Sequence, residues 1–268
     1  MMGTALVAAS LTGLATGLGA VPFFFVRELS RRAYDGVLGL GAGLMMAAAT
    51  LGLLGEALAH LHAPGGIELW RLVLVILGFI AGVGVAIGMD RVIPHRHAGG
   101  HHQHLGHEPG HDHHDPVHEV RRGYAVVGAL SLHRVPEGLA IGAGFALDSG
   151  GAINLGWLLV IAIGIQNICE GVVMAAPLRA GGVSPGRGLL IVTLTGLVIP
   201  VGALIGQMLA SVATVAMPFV LSLAAGTLIY ITSNEIIPES HSHGHEGTAS
   251  SGVATGFLLT MLLQALLR

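Results

Sequence analysis

Charge is what this sequence has least of: only 10% of its 268 residues are Asp, Glu, Lys or Arg, against about 25% in a soluble domain. So few charges do not coat a water-facing globule, which excludes a soluble enzyme, a nucleic-acid binder and a disordered linker. Lysine is absent, so all 12 basic residues are arginines, and a formal net charge of -3 is too small to attract a polyanion. A single cysteine, Cys169, rules out an intramolecular disulfide and leaves the redox compartment open. Apolar residues make up 53% of the chain before its 42 glycines are counted, the composition of a protein that lives in a bilayer. Histidine breaks the pattern: its 16 copies outnumber both the 15 acids and the 12 arginines.

A spanning helix needs about 20 apolar residues. Eight stretches qualify, roughly 3–26, 36–60, 69–93, 123–147, 152–178, 187–209, 215–238 and 251–267. The first lacks a positive n-region and a cleavage pattern and reads as a retained helix rather than a signal peptide. In this arrangement Arg27, Arg31, Arg32, Arg91, Arg96, Arg121, Arg122, Arg179 and Arg187 fall on one side, and only Arg71 and Arg268 on the other. Positive loops stay cytoplasmic. The expected fold is therefore an all-α, eight-span membrane protein of the inner (plasma) membrane, a single domain over 1–268, with both termini outside. Loops 27–35, 94–122, 179–187 and 239–250 then face the cytoplasm. Small-xxx-small pairs (Gly13 and Gly17, Gly78 and Gly82, Gly84 and Gly88, Gly138 and Gly142) suit close helix packing. Pro22, Pro136, Pro200 and Pro218 fall inside spans, where a proline can kink the helix and free a backbone carbonyl.

Ionisable groups in a span are functional candidates by default. The fourth span carries His133-Arg134-Val135-Pro136-Glu137-Gly138 and the fifth Gln166-Asn167-Ile168-Cys169-Glu170-Gly171. In each, the first residue and the glutamate are four apart and share one helix face. Counted from the cytoplasmic ends, the two motifs reach matched depths near the middle of a core about 30 Å thick. Antiparallel helices can thus present one imidazole, one amide oxygen and two carboxylates to a common point. Imidazole suits zinc, iron, copper or nickel, and the oxygens admit manganese or cadmium. The competing reading is a structural ion-pair network of His133, Arg134, Glu137 and Glu170.

These motifs resemble those of the ZIP (Zrt/Irt-like) family of divalent metal transporters, in particular its GufA-like bacterial branch. Further matches are Glu56-Ala57-Leu58, Asp90-Arg91 before Pro94-His95, Gly196-Leu197-Val198-x-Pro200-x-Gly202 and Asn234-Glu235-x-x-Pro238-Glu239-Ser240-His241. The resemblance implies passage of zinc or a similar ion toward the cytoplasm, with one helix bundle moving against another and no organic cofactor. It admits a homodimer and implies no nucleic-acid partner. The positions that match the family's first metal are His133, Glu137, Gln166 and Glu170. At its second metal this chain departs: Arg134 stands for the usual asparagine, Asn167 for the usual aspartate and Ile199 for the usual glutamate. The expectation is a mononuclear site in which the Arg134 guanidinium replaces the second cation and pairs with Glu137 or Glu170. The rival expectation is that Arg134 blocks the pathway. Cys169 replaces the usual proline, and a one-residue step rotates it about 100° from Glu170, which favours packing over ligation.

Ten histidines lie between 94 and 120: His95, His97, His101, His102, His104, His107, His111, His113, His114 and His118. With His241, His243 and His245 they read as a flexible, weak metal-collecting surface at the cytoplasmic mouth, or as solvated low-complexity loops. Glu56, His60 and His62 are candidates for an entrance, and Asp90, Asn234, Glu235 and Glu239 for an exit relay. Two other functions compete with a carrier. An intramembrane metallohydrolase needs a spare base, and the sequence shows neither one nor an HExxH motif. A metal sensor would bind through the same residues without flux.

Overall fold

The computed structural model describes residues 2–63, 66–92, 116–146, 155–212 and 217–267, so the histidines from His95 to His114 lie outside the described residues. The described residues are helical almost throughout. Helix α1 (Met2–Ala20) runs into a 3-10 turn at Val21–Phe24, which holds Pro22. Helix α2 (Arg31–Ala47) is capped by the Ser30 hydroxyl, passes through a π-helical stretch at Ala48–Leu54 and continues as α3 (Gly55–Ala59). A small antiparallel pair, β1 (His62–Ala63) and β2 (Gly66–Ile67), leads to α4 (Leu69–Val92). There Arg71 is salt-bridged to Glu68 and donates to the His60 carbonyl at 2.8 Å. Helices α5 (Pro116–Ala146) and α6 (Leu155–Ala180) follow, then α7 (Pro185–Thr195) and α8 (Val198–Val212), which are separated by a turn at Gly196 and Leu197. Helix α9 (Met217–Ile231) passes through a second π-helical stretch at Thr232–Ile236 into α10 (Ile237–Ser240), and α11 (Glu246–Leu267) closes the chain.

Among the described residues, seven helical stretches are long and apolar enough to cross a membrane. Helix α5 is not one of the seven; it is 31 residues long, but its interior carries Arg134 and Glu137. The stretches Arg31–Ala59 and Leu155–Ala180 are 67% buried, whereas Leu69–Met89 and Glu246–Leu266 are 22% and 17% buried. Helices α2 and α6 therefore form the centre, and α4 and α11 the rim. Val7, Leu11, Leu14 and Leu18 make an exposed stripe down α1 at helical spacing, a surface that water would not tolerate.

Glycines decide which helices lock together. A Cβ on Gly138 or Gly142 of α5 would strike the backbone of α8 at Ile199 and Ala203, and one on Gly202 or Gly206 would strike α5 in return. Gly13 and Gly196 bring α1 against the turn before α8, and Gly19 and Gly171 bring α1 against α6. Gly39, Gly43, Gly252 and Gly256 do the same between α2 and α11, as do Gly78, Gly82 and Gly226 between α4 and α9. Between α2 and α6 the contact differs: Gly41 faces the Cys169 Cβ and Gly52 faces Leu159, both at ordinary van der Waals distance. So α1, α5, α6 and α8 interlock backbone to backbone as one unit, with α7 held to α1 where Gly17 meets the Thr193 side chain, while at Gly41 and Gly52 the contact with α6 is made to side chains.

Three expectations need correction. Gly84 and Gly88 meet nothing among the described residues, so their spacing serves no helix contact there. The segment around His241 is also no loose loop, because α10 and α11 leave only a short turn between them. Pro218 lies in the first turn of α9, where no intrahelical bond is lost, and so it does not kink a span.

Gly171→Ala is expected to destabilise the protein by about 1–3 kcal/mol in SDS titrations from mixed micelles, through overpacking against the Thr16 carbonyl. Gly84→Ala, in open space, is expected to be neutral or stabilising by up to about 1 kcal/mol.

Candidate metal centre

Helices α5 and α6 lie side by side, with Gly144 on Gly156 at the end where the two are joined. Their motifs meet midway. Gln166 is 1% exposed, and its Nε2 donates to Glu137 Oε1 at 3.1 Å and to Glu170 Oε1 at 2.9 Å. One amide thus bridges two carboxylates from different helices. Glu137 is fully buried and Glu170 nearly so. Arg134, also fully buried, brings Nη2 to 3.4 Å from Glu170 Oε2 and donates from Nη1 to the Thr16 hydroxyl of α1 at 2.8 Å. Thr16 passes its own proton to the Gly13 carbonyl at 2.8 Å.

With both carboxylates ionised, the two glutamates and Arg134 sum to one net negative charge at buried positions. Uncompensated charge of this kind is costly, and a bound cation offsets it. Three polar atoms here have no hydrogen-bond partner among the described residues: Glu137 Oε2, Arg134 Nε and Asn167 Oδ1. The orphaned Glu137 oxygen is the feature expected of a ligand position.

Each sequence-predicted residue can now be placed. Glu137, Gln166 and Glu170 come together. His133 sits one turn before Glu137 on α5, and its side chain lies outside the described residues. Of the two carboxylates offered to Arg134 by the sequence, the one it takes is Glu170. Asn167 turns toward α1 and donates to the Thr12 carbonyl at 3.1 Å. Ile199 is buried in the apolar core of α8, its carbonyl against Gly138. Cys169 faces α2. Among the described residues, His, Cys, Asp and Glu do not gather in threes around a metal-sized point. The two carboxylates and the amide would need the His133 imidazole to complete a four-ligand set.

The outlying candidates stand apart from this centre. Glu56 follows the first π-helical stretch and is half-buried, and His60 Nδ1 is 2.9 Å from the Glu56 backbone carbonyl. Asn234 and Glu235 lie within the second π-helical stretch and Glu239 in α10. The side chains of His62, Asp90 and His118 are outside the described residues. His243 and His245 set Nδ1 at 2.8 and 3.3 Å from the two oxygens of Asp35, a buried residue of α2 that sequence reasoning passed over. His241 Nε2 lies 3.0 Å from the Ser250 hydroxyl. These three histidines are therefore held in a turn between helices instead of waving freely. Thr12 and Thr16 were also missed, since nothing in their sequence sets them apart from other helix-borne threonines.

The family model for the ZIP zinc transporter matches residues 82–264. The chain belongs to the ZIP zinc transporter family. It is 37% identical over 269 residues to the zinc transporter GufA of Myxococcus xanthus, with 98% of each chain covered. Against the zinc transporter ZIPB of Bordetella bronchiseptica it is 37% identical, covering 94% of this chain and 78% of that protein. Against the zinc transporter ZupT of Akkermansia muciniphila it is 30% identical, covering 95% and 94%. Family membership accounts for the multi-pass helical architecture and makes this ZIP protein a transporter rather than an enzyme.

The ion pair in this ZIP protein has a testable consequence. Arg134→Met, which strands Glu170 in a buried setting, is expected to cost about 3–5 kcal/mol in metal-free protein. Adding Glu170→Gln is expected to return much of that loss, because both charges are then gone. Equilibrium unfolding in detergent measures both.

Proposed function

We propose that this chain carries a divalent transition-metal ion, zinc foremost, across the inner membrane toward the cytoplasm, through a site formed by His133, Glu137, Gln166 and Glu170. The observation that carries the reading is the convergence of two buried carboxylates on one amide, with a Glu137 oxygen left uncommitted, in a chain whose relatives bear the name zinc transporter. Iron, manganese and cadmium are compatible with the same donor set. The chain crosses the membrane eight times, α5 joining the seven apolar stretches as the fourth span in chain order, with both ends outside on the reading of the arginine distribution.

An ion entering the site displaces the Gln166 amide protons from the two carboxylates. Half a turn about the terminal torsion exchanges Nε2 for Oε1, which is a metal ligand. The site is mononuclear, because Arg134 holds a tethered positive charge where a second ion would sit, and with one divalent ion its net charge is +1 instead of -1. Motion follows the packing. The interlocked unit of α1, α5, α6 and α8 carries the site, and the side-chain interface with α2 is the surface along which it moves. Asn234, Glu235 and Glu239 then receive the ion on the cytoplasmic side, with the histidines beyond them as weak acceptors.

Proteoliposomes containing the purified protein are expected to take up zinc saturably, and Glu137→Gln or His133→Ala to reduce that uptake at least a hundredfold. Binding without flux in the unmodified protein would instead favour the sensor reading, with Arg134 as the block. Anomalous scattering from zinc-loaded protein is expected to show one ion between α5 and α6, and two would remove the mononuclear claim.

A further inference from the structure

Arg134 has two carboxylates to choose from. Glu137 lies three residues ahead on the same helix, close enough to be a side-chain neighbour, and Glu170 comes from across the α5–α6 contact. A guanidinium offers five N–H donors in a rigid planar fork, so where one edge is fixed the other edges have fixed directions. The Thr16 hydroxyl fixes one edge. It accepts from Nη1 at 2.8 Å, and its own proton is committed to the Gly13 carbonyl at 2.8 Å, so its lone pairs remain for the arginine. With Nη1 held on α1, Nη2 falls against Glu170 Oε2, and Glu137 is left with the Gln166 amide as its hydrogen-bond partner.

From this geometry we infer that Thr16 is a positioning residue that assigns Arg134 to Glu170 and thereby keeps Glu137 open for the metal ion. Thr16 touches neither carboxylate; it works through the guanidinium. Were its hydroxyl removed, a buried charged donor would lose its acceptor, and the uncommitted acceptor nearest in sequence is Glu137 Oε2 on the same helix. An arginine paired to Glu137 competes with the ion for the same oxygen. Gly171 makes the arrangement reachable, since its missing Cβ lets the Thr16 backbone come up against α6 immediately after Glu170.

This inference rests on the reading that Glu137 and Glu170 hold the ion, and zinc uptake into proteoliposomes separates the two. If the unmodified protein shows no saturable uptake, the transport reading fails. Given normal uptake, Thr16→Val, which keeps the shape and removes the acceptor, is expected to raise the half-saturating zinc concentration about tenfold. Thr16→Ser, which keeps the hydroxyl, is expected to stay within about twofold. In an Arg134→Met background, Thr16→Val is expected to have no further effect. An unchanged half-saturation in Thr16→Val, or an equal change with and without the arginine, overturns the assignment. Should Arg134→Met yield no active protein, the structure of Thr16→Val decides. A guanidinium nitrogen within hydrogen-bond distance of Glu137 is expected, and an unmoved Arg134–Glu170 pair overturns the proposal.

Discussion

Two buried carboxylates require compensating positive charge, and the side chains around them supply part of it. Glu137 and Glu170 share the Gln166 amide, while Arg134 gives half an ion pair to Glu170. Amide donors alone do not neutralise two anions, and one arginine neutralises only one of them. The remaining deficit is the ground on which a cation is proposed to bind at this centre. A site with full internal compensation would be a structural network, and one with none would not stay ionised in so dry a setting.

Glycine accounts for how that centre is walled. Each motif ends in Glu-Gly, and the glycine's work is done on the helix that comes to meet it. Gly138 admits the α8 backbone beside Glu137, and Gly171 admits the α1 backbone beside Glu170. Through Gly171, α1 brings Thr12 and Thr16 to the side chains of Asn167 and Arg134. The same interlocking binds α1, α5, α6 and α8 into one unit and leaves the face toward α2 to side chains such as Cys169. Close backbone packing is thereby concentrated around Glu137 and Glu170.

Much of the fold was legible. The long apolar runs locate the helices to within a few residues, because helix length in a bilayer is set by thickness and by the need to satisfy every backbone group internally. The π-helical stretches at Ala48–Leu54 and Thr232–Ile236 and the interruption at Gly196 and Leu197 were not legible, since composition carries no trace of hydrogen-bond register. The Gly84 and Gly88 pair misled for a related reason: spacing shows that a helix can be approached closely, not that anything approaches it.

By itself the sequence determined that the protein is a membrane helical bundle and that its deep polar residues, Arg134 among them, fall on two matched motifs. These follow from periodicity, depth and residue chemistry, all local along the chain. The tertiary structure alone decided which carboxylate the arginine takes, that Asn167 turns away from the centre, and that Asp35 gathers His243 and His245. Those outcomes depend on partners such as Thr16 and Asp35, 118 and 208 positions away in sequence. A hydrogen bond is settled by where its acceptor sits in space, and no local pattern records that.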